Sequence, residues 1–198
     1  MKKITLVIPV LLACLLQGCI AGAFVAGGAA GTAVARDKRS FDTMKVDEDI
    51  TYQSQRYIAA DPDLNNNAHI VVVSYNKVVL LAGQAPTPAL RDKAIRIVQA
   101  QPKVRRIFNE ITIGKPTSPM RRSQDAMITA NVKARMVATT NLEASRIKVV
   151  TEDGVVYLMG LTTRRQADIA AIVARNSSGV KQVVKLIEYI DYSGDTQN

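Results

Sequence analysis

The only two cysteines of the 198-residue chain, Cys14 and Cys19, lie within its first twenty residues. After a basic start, an apolar run at residues 4–16 contains Cys14, and Cys19 follows the run with small Gly18 directly before it. This order is typical of a secretory signal that is cleaved. Because cleavage before Cys19 would remove Cys14, the mature chain could form no internal disulfide. The chemistry open to Cys19 is then modification of a lone thiol.

The tetrapeptide Leu16-Gln17-Gly18-Cys19 resembles a bacterial lipobox. In that motif the cysteine thiol receives a diacylglyceryl group, a peptidase cuts before the cysteine, and the new amino terminus is acylated. Several acyl chains, at about 0.8 kcal/mol per buried CH₂, anchor a protein stably. We therefore predict lipid attachment at Cys19, a lipoprotein signal peptide at residues 1–18 and a flexible tether at residues 19–45. A plain signal peptide in which Cys19 has no role is the alternative.

The residue after the lipobox bears on the destination. In lipoproteins of diderm bacteria, an Asp directly after the lipidated cysteine tends to retain the protein at the inner membrane. Ile20 occupies that position here. The resemblance therefore implies delivery to the outer membrane, with the protein lipid-anchored on the periplasmic face.

A calcium site is the next chemistry that the residue spacing offers. Asp61, Asp63 and Asn65 match the first ligands of an EF-hand loop. The sixth position would be Asn66, where the sharp turn needs Gly, and the twelfth would be Val72, where a bidentate Glu is needed. The motif fails, and we predict a polar loop between a helix and a strand.

His69 is the only histidine, and no cysteine follows position 19. Zinc therefore has no credible set of ligands in the mature chain. No nucleophile elbow, paired-carboxylate pattern or phosphate-binding glycine loop is present in the sequence. We predict no metal, no cofactor, no catalytic residue and no enzymatic activity.

An internal repeat organises the rest of the chain. Residues 69–83, HIVVVSYNKVVLLAG, align without gaps with residues 146–160, RIKVVTEDGVVYLMG, at an offset of 77. Two copies of one structural unit are therefore present. In each copy, two apolar runs enclose a polar turn that contains Asn76 or Asp153-Gly154, residues that tolerate the positive φ of tight turns. Each copy predicts a β-hairpin.

Amphipathic segments flank each hairpin, and a further strand follows. The elements predicted outside the hairpins are, in chain order, helix 49–59, helix 88–100, strand 104–113, helix 125–138 with Ser123 as a plausible cap, helix 163–176 and strand 180–189. Each unit is therefore αββαβ. The predicted fold class is α+β, with two tandem units that each have a three-stranded mixed sheet and two helices on one face.

The hairpins end in Leu81-Ala82-Gly83 and Leu158-Met159-Gly160, and the last helix of the second copy is followed by Gly179-Val180. In these features the paired units resemble BON domains. The first copy has Lys103-Val104 where Gly-Val is usual. Behind a lipobox, the pair resembles the dual-BON-domain outer-membrane lipoproteins of proteobacteria. The resemblance implies phospholipid association and a role in keeping the outer membrane intact, and it implies no enzymatic activity.

Composition sets the expected boundaries of these units. We predict a first BON domain at residues 46–113, a linker rich in Gly, Pro and Ser at residues 114–122, and a second BON domain at residues 123–191. A polar tail is expected at residues 192–198.

The positive charge of the chain, formally +9, is concentrated in the second unit. Residues 46–113 carry eight basic and seven acidic side chains, whereas residues 121–190 carry eleven and six. The polyanions available to an exported protein are phospholipid headgroups and lipopolysaccharide, so a nucleic-acid partner is not expected. Ordinary solubilising charge is the alternative.

The predicted helix at residues 125–138 is apolar on two sides. At 100° per residue, Ile128, Val132 and Met136 form the natural core stripe. The opposite side is built by Met127, Ala130, Asn131, Ala134, Val137 and Ala138, and it is flanked by Lys133 and Arg135. Such a face suits shallow insertion among anionic headgroups, and it equally suits packing against the first unit. The corresponding first-unit helix is expected to place Gln53 and Arg56 outward.

We therefore predict a non-enzymatic, lipid-anchored envelope protein whose second BON domain binds anionic phospholipid and which supports outer-membrane integrity. Phosphatidylglycerol and cardiolipin are the expected lipids, and the first unit would be a spacer or a protein-docking module. The residues expected to contact lipid are Met127, Ile128, Lys133, Arg135 and Val137. The alternative is a periplasmic adaptor that uses the same helix to dock an envelope protein or an outer-membrane-assembly partner.

Overall fold

The computed structural model of the protein describes residues 39–191. The signal peptide predicted at residues 1–18, the lipid-attachment residue Cys19, the tether as far as residue 38 and the tail predicted at residues 192–198 lie outside the described residues.

Within residues 39–191, two units repeat one order of elements. The first unit contains α1 (Phe41–Ala60), α2 (Pro62–Asn67), β1 (His69–Tyr75), β2 (Val78–Ala85), α3 (Pro88–Gln99) and β3 (Arg106–Ile113). The second unit contains α4 (Pro119–Ala138), a 3₁₀ turn (Ala144–Arg146), β4 (Ile147–Glu152), β5 (Val155–Thr162), α5 (Arg164–Arg175) and β6 (Gln182–Tyr189).

The sheets have the predicted mixed topology. In each unit the hairpin strands pair antiparallel, and the last strand adds parallel to the second. The strand orders are β1-β2-β3 and β4-β5-β6. The helices of each unit cover one face of its sheet, where they enclose a buried apolar cluster. The predicted α+β fold is confirmed.

The first helix of each unit begins earlier than the sequence periodicity predicts. Helix α1 begins at Phe41, after the Ser40 side chain, which accepts a hydrogen bond from the Thr43 amide. Helix α4 begins at Pro119, after Ser118, which caps it in the same way. A Ser cap followed by Pro at the first helical position is a strong start signal. Ser123 therefore lies inside α4, and part of the expected tether and linker is helical.

A buried aspartate on the first helix of each unit holds the hairpin turn. The Asp47 carboxylate accepts hydrogen bonds at 2.7 Å from the amides of Asn76 and Lys77 and from the Ser74 hydroxyl. Asp125 accepts 2.8 Å bonds from the Asp153 and Gly154 amides. Because each turn presents its free amides to a carboxylate, these bonds set how the helix sits on its sheet.

The two sheets pack against each other through the faces that the helices leave uncovered. Every residue of β2 is buried, because one face contacts the helices and the other contacts the second unit. The apolar cluster between the sheets combines Tyr75, Leu80 and Ala82 of the first unit with Tyr157, Met159 and Leu186 of the second. Residues 39–191 thus form four layers in the order helix, sheet, sheet, helix.

Polar contacts at the rim of this interface centre on Glu152. Its carboxylate accepts a 3.0 Å hydrogen bond from the Gln84 amide and a 3.3 Å bond from the Thr117 hydroxyl, and it lies 3.3 Å from Nε2 of His69. Burial by itself raises the pKa of Glu152, but the hydrogen bonds from these partners outweigh it and hold the pKa below its usual value. The charged carboxylate is therefore the form that the interface stabilises.

This lowered pKa predicts a loss of stability in acid. A carboxyl whose folded-state pKa is depressed contributes stability above its unfolded pKa and loses it as the pH falls through the folded value. The free energy of unfolding should therefore fall more steeply between roughly pH 5 and pH 3 in the wild type than in Glu152→Gln. Chemical denaturation across this range measures the difference. Asp92→Asn, at a half-exposed carboxylate of the first unit outside this interface, should keep the wild-type slope. Equal slopes in all three proteins would contradict the role given to Glu152.

No helix in the described part of the chain is long and apolar enough to cross a membrane.

Candidate functional site

Helix α4 exposes a face without charged side chains, which we call the α4 outer face: Met120, Met127, Ala130, Ala134 and Val137. Met127 is 71% exposed and Val137 is 77% exposed. The opposite side of the helix enters the core through Ile128, Val132 and Met136. Exposed large apolar side chains on one helix face of a protein are a common mark of an interaction surface.

Cations flank the α4 outer face on both sides. Lys133 is exposed on one flank. Arg122 is exposed on the same flank, about three turns closer to the start of the helix. Arg135 lies on the other flank, where its Nη1 donates a 2.7 Å hydrogen bond to the carbonyl of Asn176 at the end of α5. The bond joins the two helices of this layer and places a positive charge at a helix C-terminus, where it is favoured.

Four of the five residues predicted to contact lipid lie on this surface. Met127 and Val137 are on the α4 outer face, and Lys133 and Arg135 are on its flanks. The prediction for Ile128 is wrong, because its side chain is only 7% exposed and belongs to the core cluster of the second unit. The 100° step between adjacent helical residues separates it from its neighbour Met127.

The α4 outer face does not pack against the first unit. The interface between the units is made by the sheets, on the side of β5 opposite to α4. Packing between the units, one of the uses that the sequence left open for this face, is therefore excluded for residues 39–191.

Met120 belongs to this surface and was missed by the sequence analysis. It is exposed and lies seven residues before Met127, which puts both on one face of the helix. The periodicity placed the helix start at Asp125, so Met120 fell in the expected linker. The dipeptide Ser118-Pro119 was the signal that could have extended the helix to include it.

The first helix of the first unit presents a different surface. Phe41 and Tyr52 are exposed on one face of α1, with Lys45 and Arg56 between and beyond them. Gln53, predicted to point outward, is instead half-buried beside a small apolar crevice of about 100 Å³. The sequence prediction missed Phe41 because it began the helix at Asp49. It missed Tyr52 because it described the outward side of that helix by its polar residues alone.

The candidate calcium ligands have structural roles. Asp61 caps α2 by accepting hydrogen bonds from the Asp63 and Leu64 amides, and Lys93 lies against both aspartates. A hydrogen bond from Lys93 is the main cause that holds the pKa of Asp61 below its usual value. Among residues 39–191, no group of three or more His, Cys, Asp and Glu side chains could hold a metal ion.

The family model described as BON domain matches residues 46–115 and again residues 124–191. Two relatives match most of the chain. The chain is 35% identical over 176 residues to the outer membrane lipoprotein DolP of Haemophilus influenzae, which covers 89% of this chain and 91% of that protein. It is 39% identical over 155 residues to a 21 kDa hemolysin of Actinobacillus pleuropneumoniae, with coverages of 78% and 79%.

Among solved structures, the C-terminal domain of CdsD, a structural protein of the type III secretion system of Chlamydia trachomatis, matches 72% of this chain and 98% of its own. Its TM-score is 0.30 at 10% identity, which is too low to carry information about function.

Proposed function

Because this chain belongs to the BON-domain family, we propose that its second domain binds anionic phospholipid and that the protein supports the integrity of the outer membrane. Similarity over nearly the whole chain to an outer membrane lipoprotein supports an association with that membrane. The protein acts by binding and not as an enzyme. It is anchored through Cys19 and faces the periplasm.

The observation that carries this proposal is the exposure of the α4 outer face between two flanks of cations. Met120, Met127 and Val137 offer apolar contact at the level of the headgroups, while Lys133 and Arg135 face the phosphates. Each Lys or Arg near an anionic surface contributes about 1 kcal/mol. A basic amphipathic helix of this kind lies in the plane of the interface and does not span the membrane.

Lipid anchoring at Cys19 would place the second domain within reach of the bilayer. Phe41, the first residue of α1, is 22 residues after Cys19, which an extended chain spans in at most roughly 75 Å. A headgroup contact made by α4 then adds to an existing anchor and serves to orient the protein. This is the role we propose for it.

Flotation with vesicles tests the proposal. The fragment 36–198 lacks the anchor and keeps the whole described body, which has its own apolar clusters. We expect it to float with phosphatidylglycerol vesicles in proportion to their anionic content. Lys133→Glu with Arg135→Glu should weaken this binding about 30-fold or more, because two attractive charges become repulsive.

A charge-matched control separates a local site from overall attraction. Arg96→Glu with Lys103→Glu makes the same change in net charge on exposed residues of the first domain. This variant should bind with an affinity within about twofold of the wild type, because at 0.1 M salt the charges of exposed side chains act only over about 10 Å. Melting curves must show that both variants are fully folded at the temperature of the flotation assay. If the wild-type fragment did not float with vesicles of any anionic lipid composition, the proposal would be wrong.

A protein-docking role is the second candidate, and the exposed aromatic side chains of α1 favour it. Phe41 and Tyr52 are the kind of residue enriched at protein interfaces. In this case the protein is a periplasmic adaptor for an envelope or outer-membrane-assembly partner, and the anchor serves to localise it. Salt distinguishes the two candidates, because headgroup binding weakens steeply with ionic strength whereas an apolar protein interface does not.

A further inference from the structure

A groove of about 490 Å³ runs between the second half of α5 and the start of β6, and we call it the basic groove. Its lining includes Ile172, Arg175, Lys181, Gln182 and Lys185, and it includes no carboxylate. We infer that the basic groove binds the phosphate of an anionic phospholipid headgroup, as a second contact beside the α4 outer face. This inference rests on the proposed function, and it adds a separate binding site to it.

Three cations converge on the basic groove and can be made available to an anion. Lys181 lies 3.0 Å from Asp153, and Lys185 lies 2.8 Å from Asp168. Both aspartates are at least half-exposed, and exposed ion pairs of this kind are weak. Within residues 39–191, Arg175 has no ion pair. A phosphate can therefore recruit all three side chains at little cost.

The C-terminus of α5 would by itself repel an anion, because the last carbonyls of a helix carry partial negative charge. Arg135 compensates for this repulsion by donating its hydrogen bond to the Asn176 carbonyl at that end. Arg175 adds a second positive charge in the last turn of the helix. The end of the helix is thus positive where the basic groove opens.

A phospholipid fits the basic groove better than a small soluble anion. Ile172 is 60% exposed beside the cations and offers apolar contact to the glycerol and the first methylenes of a lipid. Helix α5 lies in the same outer layer as α4, to which Arg135 joins it. A bilayer against the α4 outer face would therefore bring headgroups beside α5.

The first domain has different residues at the positions of the basic groove, including Arg96 in place of Ile172 and Arg106 in place of Gln182. Its buried Ala94 and Val98 on α3 correspond to Ala170 and Ala174 on α5, an offset of 76 that also relates β3 to β6. At this offset, Gln99 stands where the second domain has Arg175, and Asn109 stands where it has Lys185. Arg105 corresponds to Lys181, and its guanidinium group forms an ion pair with the Glu188 carboxylate at 2.6 Å.

This internal comparison supplies a conservative variant. Arg175→Gln with Lys185→Asn installs the first-domain residues in the basic groove without changing the core. We expect it to weaken binding of fragment 36–198 to phosphatidylglycerol vesicles about 30-fold, through the loss of two cations. Arg96→Gln with Lys103→Asn removes the same charge from the first domain and should bind within twofold of the wild type. A groove variant that binds as well as this control overturns the inference.

Amide chemical shifts locate the contact independently of vesicle binding. Dihexanoyl phosphatidylglycerol below its micelle concentration should shift the amides of Ile172, Arg175 and Gln182, and these shifts should vanish in the groove variant. Inorganic phosphate at the same concentration should shift them much less. Equal shifts with inorganic phosphate would assign the basic groove to free phosphate and overturn the lipid assignment, as would an absence of shifts with the lipid.

The two proposals can fail separately. Suppose that the wild type floats, that Lys133→Glu with Arg135→Glu abolishes flotation, and that the groove variant floats as well as the wild type. The inference about the basic groove is then wrong, and the proposed function stands. If the wild type does not float but the lipid shifts the groove amides, the membrane-binding role of the α4 outer face is wrong and the groove contact stands.

Discussion

Replacing Gly83 with alanine is expected to unfold the first domain or to destabilise it by about 4 kcal/mol or more. Gly83 is in β2 opposite Ile70 of β1, with φ at +123°, a conformation that L side chains rarely adopt. A Cβ at this position would overlap the carbonyl oxygen of His69, which belongs to the neighbouring strand. Strand backbone cannot move aside without breaking the hairpin ladder, so strain and lost pairing add.

Alanine substitutions at two other glycines should cost less stability than the one at Gly83, and they test the steric explanation. A Cβ at Gly160, the corresponding residue of the second domain, would lie 2.6 Å from the carbonyl oxygen of Arg146, without a positive φ. A Cβ at Gly114 would meet nothing within 4 Å. Denaturant unfolding of the three alanine variants should rank the losses as Gly83, then Gly160, then Gly114, the last within about 0.5 kcal/mol of the wild type. A loss at Gly114 as large as that at Gly83 would contradict the steric explanation.

The second large effect is expected at Asp47. Asp47→Ala should lower the free energy of unfolding by about 3–5 kcal/mol, because it removes one carboxylate that satisfies several buried or half-buried donors at once. The amides of Asn76 and Lys77 would lose their acceptor, as would the Ser74 hydroxyl. Arg39, which donates to the same carboxylate at 2.7 Å, would lose this ion pair. Such a loss is a large share of the stability of an ordinary domain.

Asp125→Ala provides the comparison in the second domain. Asp125 accepts two turn amides, and Arg121 lies further away at 3.5 Å, so its loss should be smaller than that at Asp47. Asp63→Ala, at an exposed carboxylate paired with Lys93, should cost less than about 1 kcal/mol. Urea denaturation monitored by circular dichroism measures all three. If Asp63→Ala proved as destabilising as Asp47→Ala, the account of the hairpin turns would be wrong.

Local patterns in the sequence were sufficient for the αββαβ units. The gapless repeat, the polar turns at Asn76 and Asp153, and the apolar periods predicted the hairpins and their flanking elements, because these signals come from residues close together in the chain. The polar loop predicted around Asp61 and Asp63 is wrong, because Asp61 caps the short helix α2 there. Both turns have the positive φ values that were predicted. Gly83 could be recognised as a repeated feature, but the His69 carbonyl that requires a glycine there became visible only when β1 was paired with β2.

Contacts between distant residues were decided by the tertiary structure. The runs VVLLAG and VVYLMG are apolar at successive positions, as is typical of strands buried on both faces, yet the sequence did not show what covers the second face. The packing of sheet on sheet supplies the cover, and it leaves the α4 outer face exposed. The basic groove likewise joins residues of a helix and a strand, whose approach depends on how α5 sits on the sheet. Charge content and helical period are local properties of the chain. Which element covers each face of a helix or sheet is decided only when all four layers pack together.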